Sequence, residues 1–293
     1  MANNIIELEN KQEHINQLKA ARHLYTKAGY YSTSYMFFCA LMPVVISIGR
    51  TFLSPDAHLA LNAMLAYSVI ALIAGFILES TVSKHQKLAA KIQQQFDSEV
   101  FELEWNSHLW GARPSLENIN DNLGNQPDKG FDNWYDLQVN DLNNIEAILV
   151  CQRTNLVYDT KLRNRFNFIV STVATVVLLS ILIVAFYRNE GIQTAIIFVG
   201  VPLVPIIKWF FYTRKQNLDD IKACESLKSF VDNNLEKLRN KEKNINEDTL
   251  CWIQDGIYRH RKTAFKIPDW LYNSMRNSQE EKVHTMVKQL ANR

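Results

Sequence analysis

Basic residues, aromatic residues and amides recur in the last part of the chain at spacings that could bind a phosphorylated ligand. Asn246 can cap a helix that begins EDTLCWIQDGIYRHRK, with acids in its first turn and bases in its last. Gln254, Tyr258 and Arg261 share one face of that helix, and a turn that presents Trp270 follows. Such groups can hold a phosphate and stack on a base. They can equally hold a tail against a membrane, and composition alone favours that structural role.

A second set of polar residues interrupts an apolar seam upstream. The seven-residue seam that starts at Leu142 also contains Gln152 and Asp159, where a core helix would place apolar groups. Unpaired buried polar groups are costly, so these side chains must find partners. Arg163 lies one turn beyond Asp159 and can pair with it. We interpret the layer as a cytoplasmic site or gate, the alternative being an ion pair on a solvated helix face.

Other kinds of chemistry have no signature in the chain. There is no Walker loop, GxGxxG, HExxH or GxSxG motif, so we predict no enzyme, no catalytic residue and no cofactor. The four cysteines are far apart and form no CxxC pair, so we predict neither a disulfide scaffold nor a metal site. With 32 basic and 30 acidic residues, the chain lacks the charge needed to bind a DNA or RNA duplex.

Four apolar segments must position these residues. They span residues 31–48, 59–78, 166–187 and 192–212, and none contains Asp or Glu. Each is long enough to cross a bilayer as a helix. The alternative is a set of buried helices in a soluble core, but such helices usually keep a polar stripe.

Lys and Arg cluster at the outer ends of each pair of segments, whereas the two short connectors carry Arg50 and Arg188 alone. This asymmetry places both termini and the middle segment in the cytoplasm. We therefore predict an all-α membrane protein with four transmembrane helices as two hairpins, plus a helical cytoplasmic insertion and C-terminal region. The predicted regions are an N-terminal amphipathic helix (1–29), a first hairpin (30–79), an insertion (80–165), a second hairpin (166–212) and a C-terminal region (213–293).

The spans lack ionisable groups near their centres, which argues against an ion-coupled carrier. Four helices of one protomer are too few to enclose a channel, so a pore would need a homo-oligomer. Glu79 and Lys208, both near the inner face, could form charged rings at a pore mouth, although Lys208 could also reach the headgroups. Hydroxyls of the third span could line the pore or bond their own helix backbone; these are Ser171, Thr172, Thr175 and Ser180.

Four motifs in fixed order carry a family resemblance. They are LKAARHLYTKA before the first span, FDSEVFELEWN after the second, CQRTNLVYDTKLRNRF before the third, and IQDGIYRHRKTAFKIPDWLY in the tail. Together they resemble the SMODS-associated four-transmembrane effectors of bacteria, over roughly residues 12–277.

The resemblance implies a defence effector of the bacterial inner membrane. Such proteins are paired with a nucleotidyltransferase that makes a cyclic oligonucleotide after phage infection, and this ligand activates the membrane protein. On the motif positions we expect ligand contacts, with Arg153 and Arg261 essential for binding. The candidate ligand residues are Gln152, Arg153, Asn155, Asp159, Arg163, Gln254, Tyr258, Arg261 and Trp270. The alternatives are a membrane scaffold and a pore triggered by a protein partner.

Overall fold

The computed structural model describes residues 3–43, 45–46, 58–125, 127–188, 201–242 and 244–291. Within these ranges the regular structure is helical and contains no strand, which confirms the predicted all-α class.

The N-terminal arm contains two helices, α1 (Ile5–Glu9) and α2 (Gln12–Tyr35). A short π-helical stretch, Met36–Leu41, continues α2 towards the first predicted span. Helix α3 (His58–Val100) is antiparallel to α2, since Glu99 accepts a hydrogen bond from Gln17 whereas Gly75 lies near Tyr35. Ile15, Leu18 and Leu24 of α2 are buried.

Short elements fill the middle of the chain. They are α4 (Ser107–Trp110), α5 (Leu116–Asn120) and a 3₁₀ helix, Leu137–Asp141. Ser115 and Asn118 form a capping box at the start of α5, in which each side chain accepts a hydrogen bond from the other residue's backbone N–H.

Two long helices and two shorter ones complete the fold. Helices α6 (Asn144–Arg188) and α7 (Val201–Arg239) are antiparallel, and α8 (Glu247–Thr263) packs on α3, α6 and α7. Asn246 caps α8 by accepting a hydrogen bond from the backbone N–H of Thr249, as predicted. Gly256 lets α8 approach α7, because a Cβ at this position would lie 2.7 Å from Leu227 Cδ2. Helix α9 (Asp269–Ala291) returns along α6.

One described helix is long and apolar enough to cross a membrane, namely Leu65–Val100 within α3. Its most apolar stretch is only 6% buried, so the apolar side chains face outwards, as contact with lipid would require. Exposed apolar residues also occur where the first, third and fourth spans are predicted, for example Phe38, Phe168 and Phe211. Residues 47–57 and 189–200 lie outside the described residues, so the four-span arrangement stays a prediction.

The described structure outside the predicted spans contains a polar network inside an apolar core. Asp97 is fully buried on α3 and accepts hydrogen bonds from Tyr135, Gln254 and Arg261. The Tyr135 hydroxyl lies 2.8 Å from Oδ1 of Asp97, and Nε2 of Gln254 lies 2.9 Å from Oδ2. Gln254 in turn accepts a hydrogen bond of 3.2 Å from Gln152. A charge this deep is tolerated because Arg261 and two further donors satisfy it.

A second buried carboxyl group lies at the end of α1. Glu9 is fully buried, and one of its oxygens accepts a hydrogen bond of 3.0 Å from the backbone N–H of Tyr135. The other oxygen has no partner among the described residues. Burial raises the pKa of Glu9 to about 8, and the bond from Tyr135 offsets part of this shift.

Asp97→Asn should destabilise the protein by about 3–5 kcal/mol, because it leaves the Arg261 charge buried without its counter-ion. Urea unfolding of the detergent-solubilised protein, followed by tryptophan fluorescence, measures the loss. Asp128→Asn is the matched control, since Asp128 pairs with Lys19 at the surface and should contribute little. Equal losses in the two variants would contradict a special role for the buried carboxylate.

Glu9→Gln should change how stability depends on pH. The unfolded chain ionises Glu9 near pH 4.5, while the folded chain retains the proton until about pH 8, so stability falls across that interval. The variant should exceed the wild type by on the order of 3 kcal/mol at pH 8, and the difference should vanish near pH 4.5. Unfolding curves between these pH values test this, with the exposed Glu7→Gln as control. A constant difference at all pH values would refute it.

Candidate ligand-binding cavity

A cavity of about 450 Å³ lies among α2, α6, α8 and the segment that joins α8 to α9. This volume is in the range of pockets that bind small molecules. Four cations line it, namely Arg22, Arg163, Arg261 and Lys266. The lining also includes six aromatic residues, which are Tyr25, Trp134, Tyr135, Tyr158, Phe265 and Tyr272. Cations and aromatic rings together could hold a phosphate and stack on a base.

Arg163 occupies the most crowded position on the cavity wall. Its Nε donates a hydrogen bond of 2.6 Å to Asp159, which confirms the predicted pair one turn apart on α6. Its Nη1 lies 3.0 Å from the Asp220 carboxylate and 3.0 Å from Asn217, both on α7, and 3.1 Å from the Phe265 carbonyl. Burial disfavours the charge, but the two carboxylates outweigh it and raise the pKa of Arg163. The guanidinium therefore joins α6, α7 and the segment after α8.

Asp159 has two further neighbours beside Arg163. Nε2 of His260 lies 2.6 Å from its Oδ2, and the Cys224 sulfur lies 3.6 Å from the same oxygen. Although burial opposes ionisation, Arg163 and His260 hold the pKa of Asp159 far below its usual range. Burial and Asp159 raise the pKa of the Cys224 thiol. About 30% of the Asp159 side chain remains exposed.

The wall of the cavity formed by α2 carries polar groups that are available to bind a ligand. The Arg22 guanidinium lies 3.9 Å from the centre of the Tyr272 ring, and its Nη2 donates to Asn273 at 2.9 Å. Within the described ranges no carboxylate forms an ion pair with Arg22 at contact distance, but Asp269 is close enough to interact with it electrostatically. The buried hydroxyl of Tyr25 has no hydrogen-bond partner among the described residues. Lys266 lies 5.0 Å from the centre of the Tyr25 ring and pairs with Asp269 at 3.3 Å. Burial lowers the pKa of Lys266, and Asp269 partly opposes this.

Four of the residues predicted to contact a ligand line the cavity: Asn155, Asp159, Arg163 and Arg261. Asn155 donates a hydrogen bond of 3.1 Å to the Tyr135 hydroxyl. Arg261 is held by Asp97 behind the cavity wall.

The other five predicted ligand residues do not line the cavity. Gln152 and Gln254 are fully buried in the polar network around Asp97, and Tyr258 is buried against Trp110. Arg153 instead pairs with Asp232 on α7, and Trp270 is 56% exposed. Their contact with a ligand stays a prediction.

The predicted pore residues lie on the apolar halves of the long helices. Thr172 and Thr175 each donate a hydrogen bond of 2.9 Å to the backbone carbonyl four residues earlier, which is the alternative role foreseen for them. Glu79 on α3 and Lys208 on α7 are exposed. Ser171 is half-buried on α6, and Ser180 is on the same helix.

Sequence reasoning missed Arg22, Tyr25, Cys224, His260 and Lys266. Arg22 and Tyr25 belong to the first motif, and His260 and Lys266 to the last, so membership of a shared motif was a usable signal. Cys224 is in none of the four motifs. Its proximity to Asp159 and His260 depends on the packing of α7 against α6 and α8, which no local pattern reveals.

Comparison with known proteins gives a family and one relative. A protein of Bacillus cereus (strain VD146) named a probable CBASS effector molecule is 25% identical over 285 residues, which is 95% of each chain. No solved structure matches the chain. The SMODS-associating 4TM effector domain family matches residues 3–290. The match covers nearly the whole chain, and the protein therefore belongs to the SMODS-associating 4TM effector family.

Proposed function

We propose that this chain is a bacterial inner-membrane effector that binds a cyclic oligonucleotide in the cavity and responds by opening a homo-oligomeric pore. A nucleotidyltransferase partner would supply the nucleotide after phage infection, and the resulting leakage would arrest growth. Membership of the effector family and the name of the Bacillus cereus relative support the defence role.

The observation that carries the ligand assignment is the spare binding capacity of the α2 wall. Arg22 can donate hydrogen bonds to a phosphate without losing an ion pair, and the Tyr25 hydroxyl can donate another. Arg22 already covers one face of the Tyr272 ring and Lys266 lies over the Tyr25 ring, so a base would stack on the opposite face of either ring. Four cations line the cavity, but Arg163, Arg261 and Lys266 already pair with carboxylates, so Arg22 is the lining cation most available to an anionic ligand.

The position of the cavity suggests how binding reaches the membrane. Helix α2 continues into the first predicted span and α6 into the third, and both line the cavity. Arg163 precedes the third predicted span by three residues. A phosphate that competes with Asp159 and Asp220 for Arg163 would change how α6 contacts α7. The ligand would favour the open state only by its higher affinity for that state.

Arg22→Ala should weaken binding of a cyclic nucleotide at least about tenfold, since a hydrogen bond to a charged group contributes about 1.5–3 kcal/mol. Titration calorimetry on the full chain in detergent, with a panel of cyclic di- and trinucleotides, measures this. Arg153→Ala discriminates between the two sites: the motifs alone predict that it abolishes binding, whereas binding in the cavity predicts unchanged affinity, because Arg153 pairs with Asp232 outside it. Loss of binding in Arg153→Ala but not in Arg22→Ala would contradict nucleotide binding in the cavity and favour the site expected from the motifs.

Dye-loaded liposomes that contain the wild-type protein distinguish a nucleotide-gated pore from a pore triggered by a protein partner and from a scaffold. The same panel of cyclic nucleotides is added to them. Leakage with a cyclic nucleotide supports the proposal, and Arg22→Ala should then need a correspondingly higher concentration. Leakage that requires an added protein partner would indicate a pore with another trigger. A scaffold would leave the liposomes sealed in both cases, which would refute the pore.

Glu79→Lys should shift the ion preference of the pore towards anions, because rings of charge at a pore mouth select ions of opposite sign. Reversal potentials across planar bilayers in a salt gradient measure the change once the nucleotide has opened the pore. Glu225→Lys is the control, since this exposed carboxylate of α7 lies away from the predicted spans. An unchanged reversal potential in Glu79→Lys would remove Glu79 from the pore mouth.

A further inference from the structure

Three potential metal ligands from three different helices meet at the edge of the cavity. They are Asp159 on α6, Cys224 on α7 and His260 on α8, with all ligand atoms within 4.8 Å of one another. Cys224 is 1% exposed, and the His260 side chain is 10% exposed. The carboxylate oxygen, thiol sulfur and imidazole nitrogen are the donor types that Zn²⁺ prefers in proteins.

The distances between these atoms approach those of a tetrahedral site. The Cys224 sulfur is 3.3 Å from Nε2 of His260 and 3.6 Å from Oδ2 of Asp159. Zinc bonds of about 2.3 Å to sulfur and about 2.0–2.2 Å to nitrogen and oxygen place such atoms about 3.3–3.6 Å apart. The 2.6 Å between His260 and Asp159 must widen by about 0.8 Å, which small side-chain rotations can supply.

The local charge also suits a divalent cation. Two carboxylates, Asp159 and Asp220, surround one guanidinium, that of Arg163. Before an ion binds, these groups carry a net charge of minus one. Coordination would release the Cys224 proton, and a Zn²⁺ ion bound to that thiolate would bring the local charge to zero.

Arg163 is not itself a metal ligand, since a guanidinium carries donors alone, but its Nε donates to the same Oδ2 of Asp159 that would bind the ion. Its bond to Asp159 fixes the orientation of the carboxylate, as hydrogen bonds commonly do for metal ligands. All three ligand residues line the cavity. A fourth position, filled by water or a ligand atom, would therefore open into the cavity, as in zinc sites with three protein ligands.

We propose that Asp159, Cys224 and His260 bind one Zn²⁺ ion per protomer, with the fourth position open to the cavity. The ion cross-links α6, α7 and α8 at the cytoplasmic side of the second predicted hairpin. This site goes beyond the proposed nucleotide function, because it is defined by side chains that bind metal whether or not a nucleotide is present.

The test uses the full chain in detergent, stripped with a chelator and then titrated with Zn²⁺ or Co²⁺ alone. We expect one ion per protomer, a rise in the thermal unfolding temperature, and a thiolate-to-cobalt charge-transfer band. Cys224→Ser and His260→Gln should each weaken zinc binding at least tenfold and remove or shift the cobalt spectrum. Cys251→Ser, which changes a half-buried thiol outside the cluster, should keep wild-type binding.

The wild-type cobalt spectrum does not depend on any variant folding. A wild-type protein that binds no zinc, or binds cobalt without a thiolate band, would show that the three side chains form a hydrogen-bonded cluster and nothing more. Equal zinc affinity in Cys224→Ser, His260→Gln and Cys251→Ser would overturn the site as well. Nucleotide binding that persists after chelation would leave the proposed function intact and so separate the two proposals.

Discussion

The packing of the helices outside the predicted spans depends on burying ionised groups that are fully paired. Asp97 has no exposed surface, and its charge is compatible with folding because Arg261 pairs with it and Tyr135 and Gln254 donate to it. The buried charge of Arg163 is likewise compensated, by the carboxylates of Asp159 and Asp220. Removing one member of such a pair costs far more than a surface ion pair contributes, so these contacts define which helices must touch.

Those contacts link long helices that contain both polar and apolar halves. Asp97 lies on α3, whose apolar half carries the candidate membrane helix, and Arg163 lies on α6 just before its apolar half. Asp97 pairs with Arg261 on α8. Arg163 donates a hydrogen bond to the Phe265 carbonyl in the segment that follows α8. A displacement of α8 would thus strain two buried networks at once. Such networks have discrete arrangements, which makes them suitable elements for a switch.

Sequence reasoning located what is local and missed what is not. The Asp159–Arg163 pair and the Asn246 cap follow from spacings of three or four residues, and both are present. The pairing of Asp97 with Arg261 joins residues 164 positions apart, so no periodicity reveals it. Composition also failed to separate ligand candidates from packing residues. Gln254 and Trp270 share a motif, yet one is fully buried and the other is 56% exposed.

Within the proposed function, affinity and switching belong to different residues. Arg163 already contacts Asp159, Asn217, Asp220 and the Phe265 carbonyl, so a phosphate can bind it only by displacing some of them. That exchange contributes little net affinity, because charged hydrogen bonds of similar strength are broken and formed. In the described structure Arg22 has a hydrogen bond to Asn273 and a contact with the Tyr272 ring to lose, but no ion pair, so more of its bonding to a phosphate adds to affinity. The α2 wall would therefore hold the ligand, while the rearrangement around Arg163 would set the difference between closed and open states.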